Sequence, residues 1–166
     1  NKPVGIECTS DMKNPDNIID FVGYHKRIYP IGRLDKNSQG LILLTNDGAF
    51  VNGILKASNY HEKEYIVTVD KKITDDFIKK MSQGVEILNQ ETRPCRVSKI
   101  SNNTFNIVLT QGLNRQIRRM CEALGYNVQK LKRIRIVNIE MGNMPVGAYR
   151  NVTEEELNKL KKICGI

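Results

Sequence analysis

Five β-rich segments between positions 64 and 141 constrain the fold more strongly than any other feature of the chain. In residues 64–70, Tyr65 and Val67 share one face of a period-two pattern, which is typical of a strand. The other segments cover residues 85–88, 95–100, 104–110 and 128–141. Ser101-Asn102-Asn103 is a typical hairpin turn between two of them. Links this short join antiparallel neighbours, so the sequence predicts a mainly antiparallel central sheet.

Amphipathic helices are predicted around these strands. They cover residues 15–22, 48–58, 74–84 and 114–124, and a last helix follows the capping box of Thr153 and Glu156. A mixed order of helices and strands predicts an α+β fold, with helices flanking the sheet and room for two lobes around an active-site cleft. The length fits one domain over residues 1–166.

A polar loop before an apolar run contains the candidate functional carboxylate. Asp35 lies between Arg33 and Lys36, two cations that favour its ionised form. Residues 41–44, all Leu or Ile, predict a buried strand that holds the loop rigidly, as a nucleophile requires. A calcium loop is excluded because Asn46 stands where a bidentate Glu is needed. An ordinary surface carboxylate remains the alternative.

The chain is basic, with 26 Lys and Arg against 18 Asp and Glu and a net charge of +8. Such an excess attracts polyanions. Seven basic residues are concentrated in one region that has Glu122 as its single acid: Arg115, Arg118, Arg119, Lys130, Lys132, Arg133 and Arg135. The cluster predicts either a solvated cationic face or contact with nucleic-acid phosphates. A spacing of three puts Arg115 and Arg118 on one side of the predicted helix, within possible reach of Asp35.

Other residue types point away from metals and membranes. The four cysteines lack metal or disulfide spacing, and we expect reduced thiols. His25 and His61 have no partner ligand nearby, so no metal site is expected. No apolar run approaches the roughly 20 residues that cross a bilayer, and no signal peptide is present, so a cytoplasmic location is expected. The chain begins without Met, and we expect further residues upstream.

Four ordered motifs resemble those of the ribosomal RNA pseudouridine synthases of the RsuA type. They are Asn1-Lys2-Pro3-Val4-Gly5, Gly32-Arg33-Leu34-Asp35 with Ser38-Gln39-Gly40-Leu41, Lys63-Glu64-Tyr65, and Gly112-Leu113-Asn114-Arg115-Gln116-Ile117-Arg118-Arg119-Met120. Residues 62–70 and 111–122 look most similar to RluF-type enzymes, which act on large-subunit rRNA. The resemblance implies a catalytic domain with the pseudouridine synthase fold. It also implies an amino-terminal S4-type RNA-binding domain, which we expect upstream.

The resemblance implies roles for individual residues. Asp35 matches the catalytic aspartate that links covalently to the target nucleotide, and Arg118 matches the basic residue that pairs with it. Tyr65 matches the tyrosine that stacks on the flipped uracil and handles a proton. Arg33 matches the position that displaces the target base, and Ile66 is expected beside Tyr65 in the pocket wall. Further substrate contacts are expected from the basic helix and strand: Arg115, Gln116, Arg119, Lys130, Lys132 and Arg133.

The implied reaction is the isomerisation of a specific uridine in structured RNA, expected to be 23S rRNA, after flipping of the base. No cofactor is expected, because the product has the composition of the substrate. The sequence leaves open whether Asp35 attacks C1′ of the ribose or C6 of the uracil, or first assists proton removal from C2′. Alternatives are another RNA such as tRNA, a non-catalytic RNA-binding module, and an aspartate-dependent hydrolase, which would need a second carboxylate. We expect a monomer.

Overall fold

A mainly antiparallel sheet lies at the centre of the fold, which a computed structural model describes for residues 1–56 and 60–166. Its strands are β4 (Lys63–Val69), β7 (Arg96–Ser101), β8 (Thr104–Leu109), β9 (Val128–Ile136) and β10 (Ile139–Glu140), in the spatial order β10-β9-β4-β8-β7. Neighbours in this order are antiparallel. The short strand β2 (Gln39–Gly40) adds to β9 in parallel. The predicted central sheet is confirmed.

Five helices and two small ribbons complete the described part of the chain. The helices are α1 (Ile18–Val22), α2 (Gly48–Leu55), α3 (Asp75–Gln83), α4 (Gln116–Ala123) and α5 (Glu154–Cys164). The ribbons pair β1 (Tyr29–Pro30) with β3 (Leu44–Thr45) and β5 (Glu86–Ile87) with β6 (Gln90–Glu91). The α+β class with flanking helices is confirmed.

The core consists of two hydrophobic clusters rather than one. The larger cluster joins α3 and α4 to one face of the sheet, and it includes Phe77, Met120 and Phe105. The second cluster joins α2 and α5 to the end of β9, and it includes Ile54 and Leu160. Full burial of an apolar side chain contributes about 1.5–3 kcal/mol, so each cluster holds its own set of elements. The cleft described below lies between them.

The prediction of one long strand over residues 128–141 is wrong in one respect. Strand β9 ends at Ile136, and the chain reverses through Val137, whose φ is +54°. It then returns as β10, with Ile139 paired to Ile136. The reversal places both isoleucines in the second hydrophobic cluster. A straight strand would carry Ile139 and Met141 away from that cluster.

Residues 41–44 do not form the continuous strand that was predicted. Leu41 donates its backbone N–H to Arg133 in β9, whereas the carbonyl of Leu43 accepts from Ile31 beside the small ribbon. The segment therefore crosses from the sheet to the ribbon, and only Leu44 belongs to a strand, β3. Leu41 and Leu43 are nevertheless buried, so the expected anchoring of the Asp35 loop by apolar side chains is present.

Two helices differ in extent from their predicted ranges. Helix α1 begins at Ile18 rather than at Pro15, because the side chain of Asn17 caps it by accepting from the Asp20 backbone. Helix α2 ends at Leu55, and the predicted positions 57–58 lie outside the described residues. Helix α3 has the predicted Thr74 cap and ends at Gln83, with Gly84 as its carboxyl-terminal cap.

The four cysteines are free thiols, and Cys8, Cys121 and Cys164 are buried. Burial raises the pKa of the Cys121 thiol to about 12 and that of the Cys95 thiol to about 11. Both thiols are therefore protonated at neutral pH, and they act as small apolar side chains.

Helix α5 begins with the predicted capping box. The Thr153 hydroxyl accepts from the Glu156 backbone at 3.1 Å, and the Glu156 carboxylate accepts from the Thr153 backbone at 2.9 Å. Arg150 adds a bidentate contact to the same carboxylate, with both distances at 2.7 Å. The Arg150 hydrogen bonds, followed by the Thr153 backbone, lower the pKa of Glu156 to about 2.

We predict that Glu156→Gln destabilises the protein at neutral pH and has a smaller effect in acid. Because the folded pKa is about 2 and the ordinary value is 4.5, the carboxylate contributes stability above about pH 4.5. That contribution is lost as the pH falls toward 2. Urea unfolding of both proteins across this range measures it, with Glu155→Gln in the same helical turn as the control. A pH-independent difference would contradict the prediction.

Candidate active site

The loop that contains Asp35 is attached to the sheet at Gly40. Strand β2 pairs with β9 so closely that a Cβ atom on Gly40 would overlap the backbone of Arg133. Gly40 also exchanges two backbone hydrogen bonds with Lys2, at 2.7 and 3.0 Å. Its φ of +125° further favours glycine. Three backbone segments therefore meet at Gly40, five residues after Asp35.

The amino-terminal segment supports the same loop from another direction. The Lys2 ammonium is buried and donates to the carbonyls of Pro3, Ile6 and Lys36, at 2.8, 2.7 and 3.4 Å. The Lys36 carbonyl also accepts from Gly5 at 2.8 Å. Lys2 thus replaces its water shell with backbone oxygens, which makes burial of the cation tolerable. These contacts fix the backbone next to Asp35.

Two guanidinium groups contact the Asp35 carboxylate. Arg115 Nη1 lies 3.2 Å from Asp35 Oδ2, and Arg118 Nε lies 3.8 Å from the same oxygen. Arg118 is buried, and its Nη2 donates to the Asn37 carbonyl at 3.2 Å and to the Ser38 hydroxyl at 2.8 Å. Burial, followed by repulsion from Arg115, lowers the pKa of Arg118, while Asp35 acts in the opposite direction. The predicted proximity of Asp35 and Arg118 is observed.

The turn before helix α4 orients these cations. Arg115 caps the helix in the left-handed region, with φ of +50°, a conformation that is strained for a residue with a side chain. The buried Gln116 amide accepts from the Leu113 backbone at 3.1 Å and donates to Gln111 at 3.3 Å. Gln116 therefore holds the turn together, and its amide is already occupied by these contacts.

A cavity of about 470 Å³ lies between the two hydrophobic clusters, and Asp35 is on its wall. Among the described lining residues Asp35 is the one carboxylate, and its side chain is 28% exposed. The cationic lining residues are Arg33, Lys56, Lys63, Arg115, Arg118 and Arg133. Such a cavity attracts a polyanion and suits a ligand of nucleotide size.

Tyr65 extends from the sheet into the same cavity. Its side chain lies on the inward face of β4, with Val67 on the same face as predicted, and both residues are buried. Strand pairing places Tyr65 opposite Arg133 of β9. An aromatic ring here offers an incoming base a flat apolar surface.

A second, open groove of about 510 Å³ adjoins the cavity on the other side of Asp35. The two spaces share Arg33, Asp35, Asn114 and Arg115. Asp35 and the cations beside it therefore lie between the deep cavity and the shallow groove. A polymer bound in the groove would pass these side chains to enter the cavity.

Strand alternation divides the basic residues that the sequence grouped together. Opposite pairs in β4 and β9 place Arg133 with Tyr65, but Lys132 with Ile66 and Lys130 with Thr68. Because neighbouring residues of a strand point to opposite faces, Ile66, Lys130 and Lys132 lie on the outer face of the sheet. The expectation that Ile66 shares the pocket wall with Tyr65 is therefore wrong, and neither lysine lines the cavity or the groove.

Arg119 also points away from the cavity. Its guanidinium donates to the carbonyl and the side-chain oxygen of Asn114, at 2.9 and 2.8 Å, and it lines neither space. Arg33 is exposed and lines both spaces, so it remains available to an incoming ligand.

Sequence reasoning missed three residues that help to form the cavity. Lys63 lines it directly, and burial, with repulsion from Arg133, lowers the pKa of Lys63. Ser38 binds Arg118. Buried His61 also lines the cavity, and its Nδ1 lies 3.0 Å from the Ile54 carbonyl. Lys63 directly precedes the strand predicted over residues 64–70, and extending that strand by one residue would have placed Lys63 on the face of Tyr65.

Comparison with known proteins identifies the family. A model of the RNA pseudouridylate synthase family matches residues 1–123, a range that includes Asp35, Tyr65 and Arg118. The chain belongs to this family. The resemblance to RsuA-type ribosomal RNA pseudouridine synthases is confirmed.

Individual members of the family are similar over nearly the whole chain. The dual-specificity RNA pseudouridine synthase RluF of Escherichia coli strain K12 is 57% identical over 163 residues, with 98% of this chain and 56% of the relative covered. The chain thus spans a little over half the length of that relative. The ribosomal large subunit pseudouridine synthase B of Bacillus subtilis strain 168 is 32% identical, with 98% and 70% covered. A crystal structure of a pseudouridylate synthase has a TM-score of 0.89 at 29% identity, covering 96% of this chain and 71% of the other.

Two further observations concern residues 1–56 and 60–166. No cluster of three or more His, Cys, Asp or Glu side chains within them is arranged to hold a metal ion. None of their helices has the length and apolar character that a membrane crossing requires.

We predict that Gly40→Ala lowers the free energy of unfolding by about 2–4 kcal/mol, because the new Cβ overlaps a neighbouring backbone in a strained conformation. The control is Gly48→Ala at the start of α2, where nothing lies within 4 Å of the added atom. That change is expected to be neutral or to stabilise the helix by up to about 1 kcal/mol. Urea titration measures both. Equal stabilities would contradict the close contact between β2 and β9.

Proposed function

We propose that this chain is the catalytic domain of an enzyme that converts one uridine of ribosomal RNA to pseudouridine, with Asp35 as the nucleophile. The observation that carries the proposal is Asp35, the one carboxylate among the described lining residues, held by Arg115 and Arg118 in a cationic cavity beside Tyr65. Membership of the pseudouridylate synthase family supports the reaction. The names of the relatives support an RNA substrate, with large-subunit rRNA as the proposed class.

The proposed reaction breaks the bond between N1 of uracil and C1′ of ribose, turns the base and joins C5 to C1′. The C5 proton is lost, N1 gains a proton, and no electrons are exchanged with another molecule. A stacked base cannot present these atoms, so the nucleotide must leave the helix and enter the cavity. A volume of about 470 Å³ accommodates one nucleotide with some solvent.

Each proposed role follows from the position of the side chain. Asp35 provides the reactive carboxylate, and Arg118 fixes its orientation through Asn37 and Ser38. Tyr65 provides a surface on which the flipped uracil stacks. Arg33, exposed where cavity and groove meet, is placed to occupy the space that the base leaves.

The RNA backbone is proposed to follow the open groove and the cavity mouth. Arg33 and Arg115 line both spaces and are placed to contact phosphates on either side of the target. Structured RNA with an exposed loop best supplies an unstacked nucleotide. We further propose that the chain acts as a monomer. An S4-type domain upstream is proposed to add affinity for the RNA.

We predict that Asp35→Asn reduces pseudouridine formation by about 10³-fold or more, because the amide is not a nucleophile. The measurement is release of tritium from rRNA labelled at C5 of uridine. The matched control is Asp76→Asn, since Asp76 forms an exposed salt bridge on α3, and it should retain parental activity. An Asp35→Asn protein that releases tritium at the parental rate would refute the proposed nucleophile. If the parent binds RNA but never modifies it, the chain is a binding module instead.

We predict that Arg118→Met reduces the maximal rate by about 10–100-fold and changes RNA affinity by less than about threefold. The hydrogen bonds from the Arg118 guanidinium to Asn37 and Ser38 hold the loop of Asp35. One hydrogen bond from a charged group is worth about 1.5–3 kcal/mol, which corresponds to this rate effect. Lys132→Met is the contrasting variant, because Lys132 lies on the outer face of the sheet. It should change neither the rate nor the dissociation constant. Weaker RNA binding by Lys132→Met would place RNA on the outer face and contradict the assignment.

A further inference from the structure

Lys63 and Arg133 form a pair of cations on the inward face of the sheet. Lys63 precedes Tyr65 by two residues in β4, so the two side chains share a face, and Arg133 pairs with Tyr65 from β9. Both cations line the cavity. The Lys63 ammonium lies 3.9 Å from the position of a Cβ on Gly112, at the turn before α4. Lys63 thus reaches from the sheet toward the opposite wall.

Neither cation is neutralised within the described part of the chain. No salt bridge of residues 1–56 and 60–166 involves Lys63 or Arg133. Arg133 is 4% exposed, its Nε donates to the Leu41 carbonyl at 2.9 Å, and its Nη2 is buried without a hydrogen-bond partner. Burial and the nearby guanidinium both lower the pKa of Lys63. Two adjacent cations without an anion are unfavourable in a folded protein, and a negatively charged ligand would relieve that cost.

We propose that Lys63 and Arg133 bind the uracil while it carries negative charge, after its bond to the ribose has broken and before the new bond forms. This role rests on the proposed function and deepens it. It assigns Lys63 as a further catalytic residue and Arg133 as its partner in contact with the base. The same assignment separates them from the cations that contact phosphates.

The burial of each cation distinguishes contact with the base from contact with a phosphate. A flipped nucleotide remains attached to its strand, so its phosphates stay at the cavity mouth while the base enters deepest. Arg33 at the mouth is exposed and the Arg115 side chain is 39% exposed, whereas Arg133 is 4% exposed. Buried Arg133, with half-buried Lys63 beside it on the inward face of the sheet, therefore meets the base, and the exposed cations meet the backbone.

The charge arises in a balanced sequence of steps. The electrons of the bond from C1′ to N1 leave with the uracil, and their charge spreads over N1, O2 and O4. An Asp35 oxygen bonds to C1′, so the ribose is held on the enzyme. After rotation, C5 attacks C1′ and the carboxylate leaves, then the C5 proton is lost and N1 is protonated. Lys63 keeps its proton throughout and acts as a fixed charge on the leaving base.

The experiment compares Lys63→Met and Lys63→Arg with the parent, using single turnover at saturating RNA. Lys63→Met is expected to lower the maximal rate by about 100-fold, the usual loss for one stabilising donor. Lys63→Arg restores the charge and should come within about tenfold of the parent. The dissociation constant and its salt dependence should stay unchanged for both. Thermal unfolding confirms that each variant is folded before its rate is compared.

A substrate containing 5-fluorouridine gives an independent readout. Fluorine withdraws electrons and stabilises the anionic base, so consumption of this nucleotide should depend less on Lys63. The loss caused by Lys63→Met should shrink by about tenfold relative to uridine, whereas a merely structural defect would affect both substrates equally. An equal loss with both substrates overturns the proposal.

Two other results would also overturn the proposal. If Lys63→Met weakens RNA binding, reduces its salt slope by about one and leaves the maximal rate unchanged, Lys63 contacts a phosphate. If the Lys63→Met protein converts uridine as fast as the parent, Lys63 has no catalytic role, and the proposed function still stands. A parent that forms no pseudouridine would instead refute the proposed function, and the role of Lys63 with it.

Discussion

The close contact of two backbones at Gly40 is the constraint on which the site depends. Only a residue without a side chain lets β2 approach Arg133 of β9. That approach joins a loop from the first quarter of the chain to a strand formed about ninety residues later. It also brings the Leu41 carbonyl within 2.9 Å of the Arg133 guanidinium, which fixes the buried cation. One glycine therefore sets the position of the carboxylate loop and of a cation in the cavity.

The distribution of charge in the cavity follows from burial as much as from composition. Among the described lining residues, one carboxylate faces six Lys and Arg side chains, and two of these, Arg115 and Arg118, contact it. The remaining positive charge lies partly in exposed positions and partly where water has little access. Because Coulomb forces grow stronger as the surroundings become less polar, the buried cations discriminate among ligand charges more sharply than the exposed ones. Attraction of the proposed RNA substrate and recognition of its base can thus be separate properties of one cavity.

Much of the fold was predictable because its signals are local. The antiparallel sheet, the Thr74 and Thr153 caps and helix α4 were all visible in short-range patterns. The reversal at Val137 was not, because it depends on burying Ile139 against a cluster assembled from distant helices. The crossing of residues 41–44 from sheet to ribbon also depends on contacts with residues that are distant in the sequence, such as Arg133.

The site was predictable at Asp35, Arg118 and Tyr65, whose predicted neighbourhood is observed. The basic cluster was a poorer guide, since a count of charges ignores strand alternation. Arg133 enters the cavity while Lys132, one residue away, points outward. The contributions of Lys2 and Gln116 also escaped prediction, because each depends on backbone groups that only the folded chain brings within reach.

The left-handed conformation of Arg115 links the energy of the fold to the preservation of the site. Glycine or asparagine would occupy this backbone position with less strain, and either would remove a cation from beside Asp35. Selection for thermal stability alone would therefore favour loss of the charge, as at other sites where function and stability oppose each other. Consensus or ancestral redesign of this domain should accordingly hold position 115 fixed and seek stability elsewhere, for example at the outer face of the sheet.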